Sequence, residues 1–184
     1  MVTCGLFLPA RGIAQSAQPY SVQASAFTTG ILVNNGTLGG FGAEGQFRLN
    51  RLKSIKATGG PLSLGIGAQF TSHKSSDNYT LRVAGIFIEP RVVIDVGSAR
   101  VFPYLSARLA ALRQSSDFAS STSGAAVGLG GGVAYKLTQY VNLDAGLAGV
   151  YQNFSDARTS GGNIFQFGSL ASYAAKIGVN IGLR

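Results

Sequence analysis

The stretch Phe41-Gly42-Ala43-Glu44-Gly45-Gln46-Phe47-Arg48-Leu49-Asn50 alternates without a break: odd positions are apolar or small, and even positions are Gly, Glu, Gln, Arg and Asn. Successive side chains of a β-strand leave opposite faces, so a period of two separates an apolar face from a polar one. Leu62-Ser63-Leu64-Gly65-Ile66-Gly67-Ala68-Gln69-Phe70-Thr71 repeats the pattern, now with the even positions apolar. Outward from these two strands, weaker alternation marks Tyr20–Thr29, Tyr79–Ile94, Val101–Arg113, Ala125–Leu137, Val141–Gln152 and Phe165–Leu183. Eight segments of this length exceed the about 5–6 residues of soluble strands and suit the ~9–11 tilted residues that cross a bilayer. The polar connections Asn34–Thr37, Ser72–Asn78, Gln114–Gly124 and Asn153–Asn163 alternate along the chain with Arg51–Gly60, Asp95–Arg100 and Thr138–Tyr140. An up-and-down meander places the first set at one rim and the second at the other.

The composition agrees. The chain is 46% hydrophobic but only 12% charged, about half the roughly 25% of soluble domains. No apolar run reaches the ~18 residues of a spanning helix, and 26 glycines among 184 residues argue against long helices, since each interior Gly costs roughly 1 kcal/mol relative to Ala. One Cys, Cys4, and one His, His73, exclude a disulfide framework and a cysteine or histidine zinc site, so neither metal nor cofactor is expected. The net charge of +8 is dispersed apart from Arg51, Lys53 and Lys56, which argues against nucleic acid as a partner. Residues 1–18 read as the back half of a signal peptide, with an apolar Gly5–Ala10 run and small residues around a cleavage point after Ala14 or near Gln18. Residues 19–184 then form one barrel domain.

Eight such strands close either around an apolar interior, as in a soluble barrel, or with the apolar face outward, as in a membrane barrel. The polar face carries Gly, Ser, Asn and Gln with occasional charges, which suits a narrow lumen better than a wet surface. Strand parity allows Glu44, Arg48, Glu89, Arg91, Arg108, Lys136, Asp144 and Lys176 all to face that lumen. A cation on the lipid side at the bilayer midplane costs about 2–4 kcal/mol, so an interior network is the cheaper placement. In Tyr79–Ile94 the same choice turns Leu81, Val83 and Phe87 inward. Arg82 and Arg113 fall on the lipid-facing parity beside the polar loops, where long side chains reach lipid phosphates. Tyr20, Phe41, Phe70, Tyr135, Tyr151, Phe165 and Phe167 suit interfacial girdles.

From about Tyr20 to Arg184 the chain resembles the small eight-stranded outer-membrane barrels of Gram-negative bacteria, the OmpA/OmpX-like outer membrane protein beta-barrel domain family. Phe87-Ile88-Glu89-Pro90-Arg91-Val92-Val93-Ile94-Asp95-Val96-Gly97 with Val101-Phe102-Pro103-Tyr104-Leu105-Ser106-Ala107-Arg108-Leu109 is similar to the central hairpin of that group, and Val141–Gly146 to its penultimate strand. The resemblance implies an exported, monomeric, non-enzymatic outer-membrane protein with a structural or surface-contact role carried by its loops. It also implies outer-membrane lipids, lipopolysaccharide included, and the barrel-assembly machinery as partners. The last strand departs from the group by ending in Arg184 and not in an aromatic residue.

Three alternatives stand beside this reading. One is a small gated ion path past the lumenal charges, and another a soluble lipocalin-like ligand carrier. The third is a membrane hydrolase resembling lipid A deacylases, suggested by the His-x-Ser spacing of His73-Lys74-Ser75 with Asp77 or Glu89 as the acid. Against it, His73 has lumenal parity, whereas a lipid-cleaving site should face the membrane. Gly128-Leu129-Gly130-Gly131-Gly132 lacks the spacing of a dinucleotide loop, because Val133 occupies its third glycine position.

Overall fold

The computed structural model describes residues 18–183 apart from 34–35, 56–57, 76–78, 118, 159–163 and 166–167. The expected signal segment, all but Gln18, lies outside the described residues, as do Lys56, Asp77, Phe167 and Arg184. The strands are β1 Tyr20–Val33, β2 Gly36–Ser54, β3 Gly59–Lys74, β4 Thr80–Ile94, β5 Val101–Ser116, β6 Thr122–Lys136 and β7 Val141–Phe154. Two-residue strands β8 Ala157–Arg158 and β9 Ile164–Phe165 follow, and then β10 Gly168–Leu183. All ladders are antiparallel, and the eight long strands form a closed barrel in the order β1-β10-β7-β6-β5-β4-β3-β2. Tyr20 pairs with both Leu49 and Leu183, so the first strand seals the sheet between its second and last members.

The faces divide as the alternation requires. Along β2, Gly42, Glu44, Gln46, Arg48 and Asn50 are buried in the lumen, while Phe41, Ala43, Gly45 and Phe47 are exposed. The exterior is apolar: Leu129 and Leu147 are about 70% exposed, at 71% and 69%. This arrangement excludes the lipocalin-like alternative, which needs its apolar face inside. Tyr20, Phe41, Phe70, Tyr135 and Tyr151 all face outward, and the side chain of Phe165 lies outside the description.

Several strands run past the ends that alternation marks. Arg51–Ser54 continues β2 beyond a register shift between Leu49 and Lys53, a bulge that breaks the period of two. Thr122–Gly124 and Asn153–Phe154 also extend β6 and β7, with mostly polar residues that break the apolar alternation although Phe154 itself is buried. Phe165 does not begin the last strand. It belongs to the β8–β9 hairpin, pairing with Ala157, and β10 starts at Gly168.

The lumen is filled unevenly around its circumference. Bulky residues project from β2, β4 and β5, and glycines face them from β6, β7 and β10. Tyr104 shows the consequence: a Cβ at Gly132 would come within 2.5 Å of its hydroxyl oxygen, and one at Gly146 within 2.8 Å. Apolar clusters lie toward both ends, Val93, Phe102 and Tyr104 nearer the rim of the chain termini and Val83, Leu112, Ala126 and Phe154 nearer the opposite rim. Gly132→Val should therefore lower the urea midpoint of the refolded barrel by an amount equivalent to about 1–3 kcal/mol or more. Gly149→Val is the contrast, because a Cβ at that outward position meets nothing within 4 Å, and it should leave the midpoint unchanged.

Candidate functional site

Four strands carry cations toward one carboxylate. Glu89, on β4 next to Pro90, is 2% exposed. Its Oε1 accepts from Arg48 Nη2 at 2.7 Å and Arg91 Nη2 at 3.1 Å. Its Oε2 lies 3.4 Å from Lys176 Nζ and accepts from Arg108 through Nη2 and through Nε, the latter at 3.1 Å. Glu44 joins the same cluster through Arg108 Nη1 at 2.7 Å and Lys176 Nζ at 3.1 Å. Asp144 holds the other end of Arg91, with Nη1 at 2.7 Å, and accepts from the Tyr104 hydroxyl at 2.8 Å.

Neutral side chains take up further donors of the cluster. Arg48 donates to Gln46 Oε1 at 2.9 Å and Ser63 Oγ at 3.1 Å, and Arg108 donates to Gln69 Oε1 at 2.9 Å. The Arg91 guanidinium stacks over Tyr104 at 3.8 Å and that of Arg108 over Phe87 at 3.9 Å, contacts that favour a cation most where water is excluded. Thus seven of the eight expected lumenal charges, Glu44, Arg48, Glu89, Arg91, Arg108, Asp144 and Lys176, form one connected network. Lys136 has the inward parity, opposite Asn142, but takes part in none of the ion pairs among the described residues. It sits at the end of β6, while Asp144 on β7 is engaged by Arg91 and Tyr104.

Sequence reasoning passed over Tyr104, Gln46, Gln69 and Ser63. Each was accessible to parity, since Tyr104 lies four residues before Arg108 on β5 and Gln46 two before Arg48 on β2. The network forms the floor of a lumenal cavity of about 70 Å³ reaching toward His73 and Thr71, room for a few waters. Arg82 and Arg113 are exposed on the outer face. Arg82 Nη1 lies 3.3 Å from Asp117 Oδ1, and Arg113 Nη2 donates to Ser121 Oγ at 2.9 Å.

The hydrolase constellation does not assemble among the described residues. The His73 ring is buried in the lumen against Gly40, and Ser75 lies beyond the end of β3, its N–H donating to Tyr79 O at 2.9 Å. Glu89 is eight positions along β4 from Leu81, the cross-strand partner of His73, or roughly 26 Å at ~3.3 Å per residue. The glycines from Gly128 to Gly132 lie inside β6 and cradle nothing.

A model of the family described as Opacity family porin protein matches residues 61–182. Among solved structures, Neisserial surface protein A (NspA) is similar with a TM-score of 0.63 and 22% identity, covering 90% of this chain and 97% of that one. The N-terminal β-barrel domain of Pseudomonas aeruginosa OprF gives 0.49 and 15%, covering 91% and 98%. Ail, the attachment invasion locus protein of Yersinia pestis, gives 0.43 and 12%, covering 88% and 97%. At its identity the first similarity shows a shared fold. No curated protein sequence matches. The family match spans well over half of a chain that closes on itself and turns its apolar face outward, and this protein belongs to the Opacity family of bacterial outer-membrane β-barrels.

Proposed function

We propose that the protein is a closed, non-enzymatic barrel whose work is done by the loops it holds at the cell surface. The observation that carries this reading is the occupied lumen. Seven charged side chains fill its middle, apolar clusters lie toward both ends, and the cavity that remains is about 70 Å³. An eight-stranded barrel has an interior just wide enough for side chains, so a path for solutes would require the Glu44, Glu89, Arg108 and Lys176 contacts to break together. The word porin in the family's description therefore does not describe what this lumen does at rest.

Barrels of this kind keep short turns on the periplasmic side and longer loops outside. The longest connection, residues 155–167, lies at the rim opposite the termini, which orients that rim outward. There β8 and β9 extend beyond the barrel, and Ser120 ties them to the neighbouring loop: its N–H donates to Arg158 O at 2.8 Å, and its Oγ accepts from the Arg158 N–H at 3.0 Å. A partner that reads two joined loops meets a preformed surface, which lowers the ordering cost of binding.

Three measurements test the reading. Purified protein in planar bilayers should be silent; sustained channel activity would sink the closed-lumen reading. Glu89→Ala, which leaves four cations facing two remaining acids, should cost about 3–5 kcal/mol in urea unfolding, whereas Lys136→Ala should cost close to nothing. Bacteria expressing the full chain should adhere to host cells more than bacteria lacking it, and replacing residues 155–165 by a short Gly-Ser turn should keep the heat-modifiable barrel but abolish that gain; no gain from the full chain, or an equal gain from the variant, would remove the loop hypothesis.

A further inference from the structure

Between β3 and β6 the outward side chains form successive rows fixed by the ladder. Nearest the loops, Ser72, Arg82 and Ser115 lie side by side. The next row toward the membrane centre holds Phe70, Ala84, Arg113 and Ser123. Beneath it come Ala68, Ile86, Ala111 and Ala125, and then Ile66, Ile88, Leu109 and Val127. Lys74, exposed at the end of β3, stands one row above, opposite Thr80. Two guanidiniums and an ammonium thus occupy three adjacent strands at the outer rim, flanked by hydroxyls.

The guanidiniums are only lightly used. Arg82 shares Asp117 at 3.3 Å with both partners about half exposed, a kind of pair worth about 0–1 kcal/mol. Arg113 donates one bond to Ser121. Each fork of five donors retains most of its capacity. Directly below, the alanines at 111 and 125 leave an open apolar trough of about 370 Å³ walled by Ile66, Ile86, Ile88 and Leu109.

We infer that this face is a binding site for a multiply phosphorylated, acylated lipid of the outer leaflet, with phosphates on Arg82, Arg113 and Lys74 and one acyl chain in the trough. The division of labour follows from the medium. Bulk lipid is as apolar as the trough, so the trough contributes shape and not hydrophobic gain. Affinity must come from the charged forks, which engage phosphate oxygens through paired, charge-assisted hydrogen bonds. Asp117 is, among the described residues, the carboxylate that competes for Arg82, and lipid binding would displace it. The inference rests on the loop rim facing outward, as proposed above, and is independent of what the loops touch.

The test is a titration of the detergent-purified full chain with bisphosphorylated lipid A, its dephosphorylated form and phosphatidylglycerol, read by native mass spectrometry. Arg82→Gln with Arg113→Gln should weaken bisphosphorylated lipid A by about tenfold or more, with little effect on the dephosphorylated form. Asp117→Asn should strengthen it by about threefold, on the order of an exposed ion pair. Ala111→Leu with Ala125→Leu should weaken it while leaving heat-modifiable migration intact. Unchanged affinity in the double arginine variant would overturn the inference, as would an equal loss from Arg100→Gln at the opposite rim. Either result would leave bilayer silence and loop-dependent adherence untouched, so the two readings fail separately.

Discussion

The carboxylate of Glu89 is the point on which the interior depends. A bilayer outside the barrel forces polar side chains inward, and a narrow, largely dry lumen then makes every ionised group costly unless it is paired. Arg48, Arg91, Arg108 and Lys176 reach Glu89 from β2, β4, β5 and β10, so one acid gathers the side chains of four strands at the centre of the barrel. Glu44 pairs with Arg108 and Lys176 and Asp144 with Arg91, and Gln46, Ser63 and Gln69 accept further guanidinium bonds around them.

The abundance of glycine follows from the same crowding. Arg48, Glu89, Arg91, Tyr104 and Arg108 project from one wall, and Gly128, Gly130, Gly132, Gly146 and Gly178 face them from the other. The bulk of one wall needs the vacancy of the other. This also separates two populations of glycine that composition alone merges: those inside admit no side chain, whereas Gly149 on the lipid face has open space around it.

The alternation in Phe41–Asn50 made the strand and its inner face legible together, because a bulge-free ladder and a two-sided environment write the same period. On β4 the decision rested on Glu89 and Arg91, and both lie within the lumen together with Val83 and Phe87. What escaped detection has physical causes. Lys136 shows that parity fixes the face but not the height along the axis, which the register of neighbouring strands decides. Residues 51–54 were hidden by a bulge, and Phe165 resembled a strand start because a short hairpin uses the same apolar residues as a barrel strand. Tyr104 was read as part of a similarity to known hairpins, not as a hydroxyl donor to Asp144.

The partners in the ionic core are remote along the chain. Lys176 and Glu44 are separated by 132 positions, Arg108 and Glu44 by 64, and Arg91 and Asp144 by 53. Lys176 arrives on the last strand, which is also the strand that seals against β1. The lysine of the central cluster and the sealing of the seam therefore depend on the same strand. Without the contribution of β10, Glu44 would keep one of its two cations and Glu89 three of its four. The strand that closes the cylinder is thus also the one that brings Glu44 its second cation, so the seam and the centre of the lumen share one element.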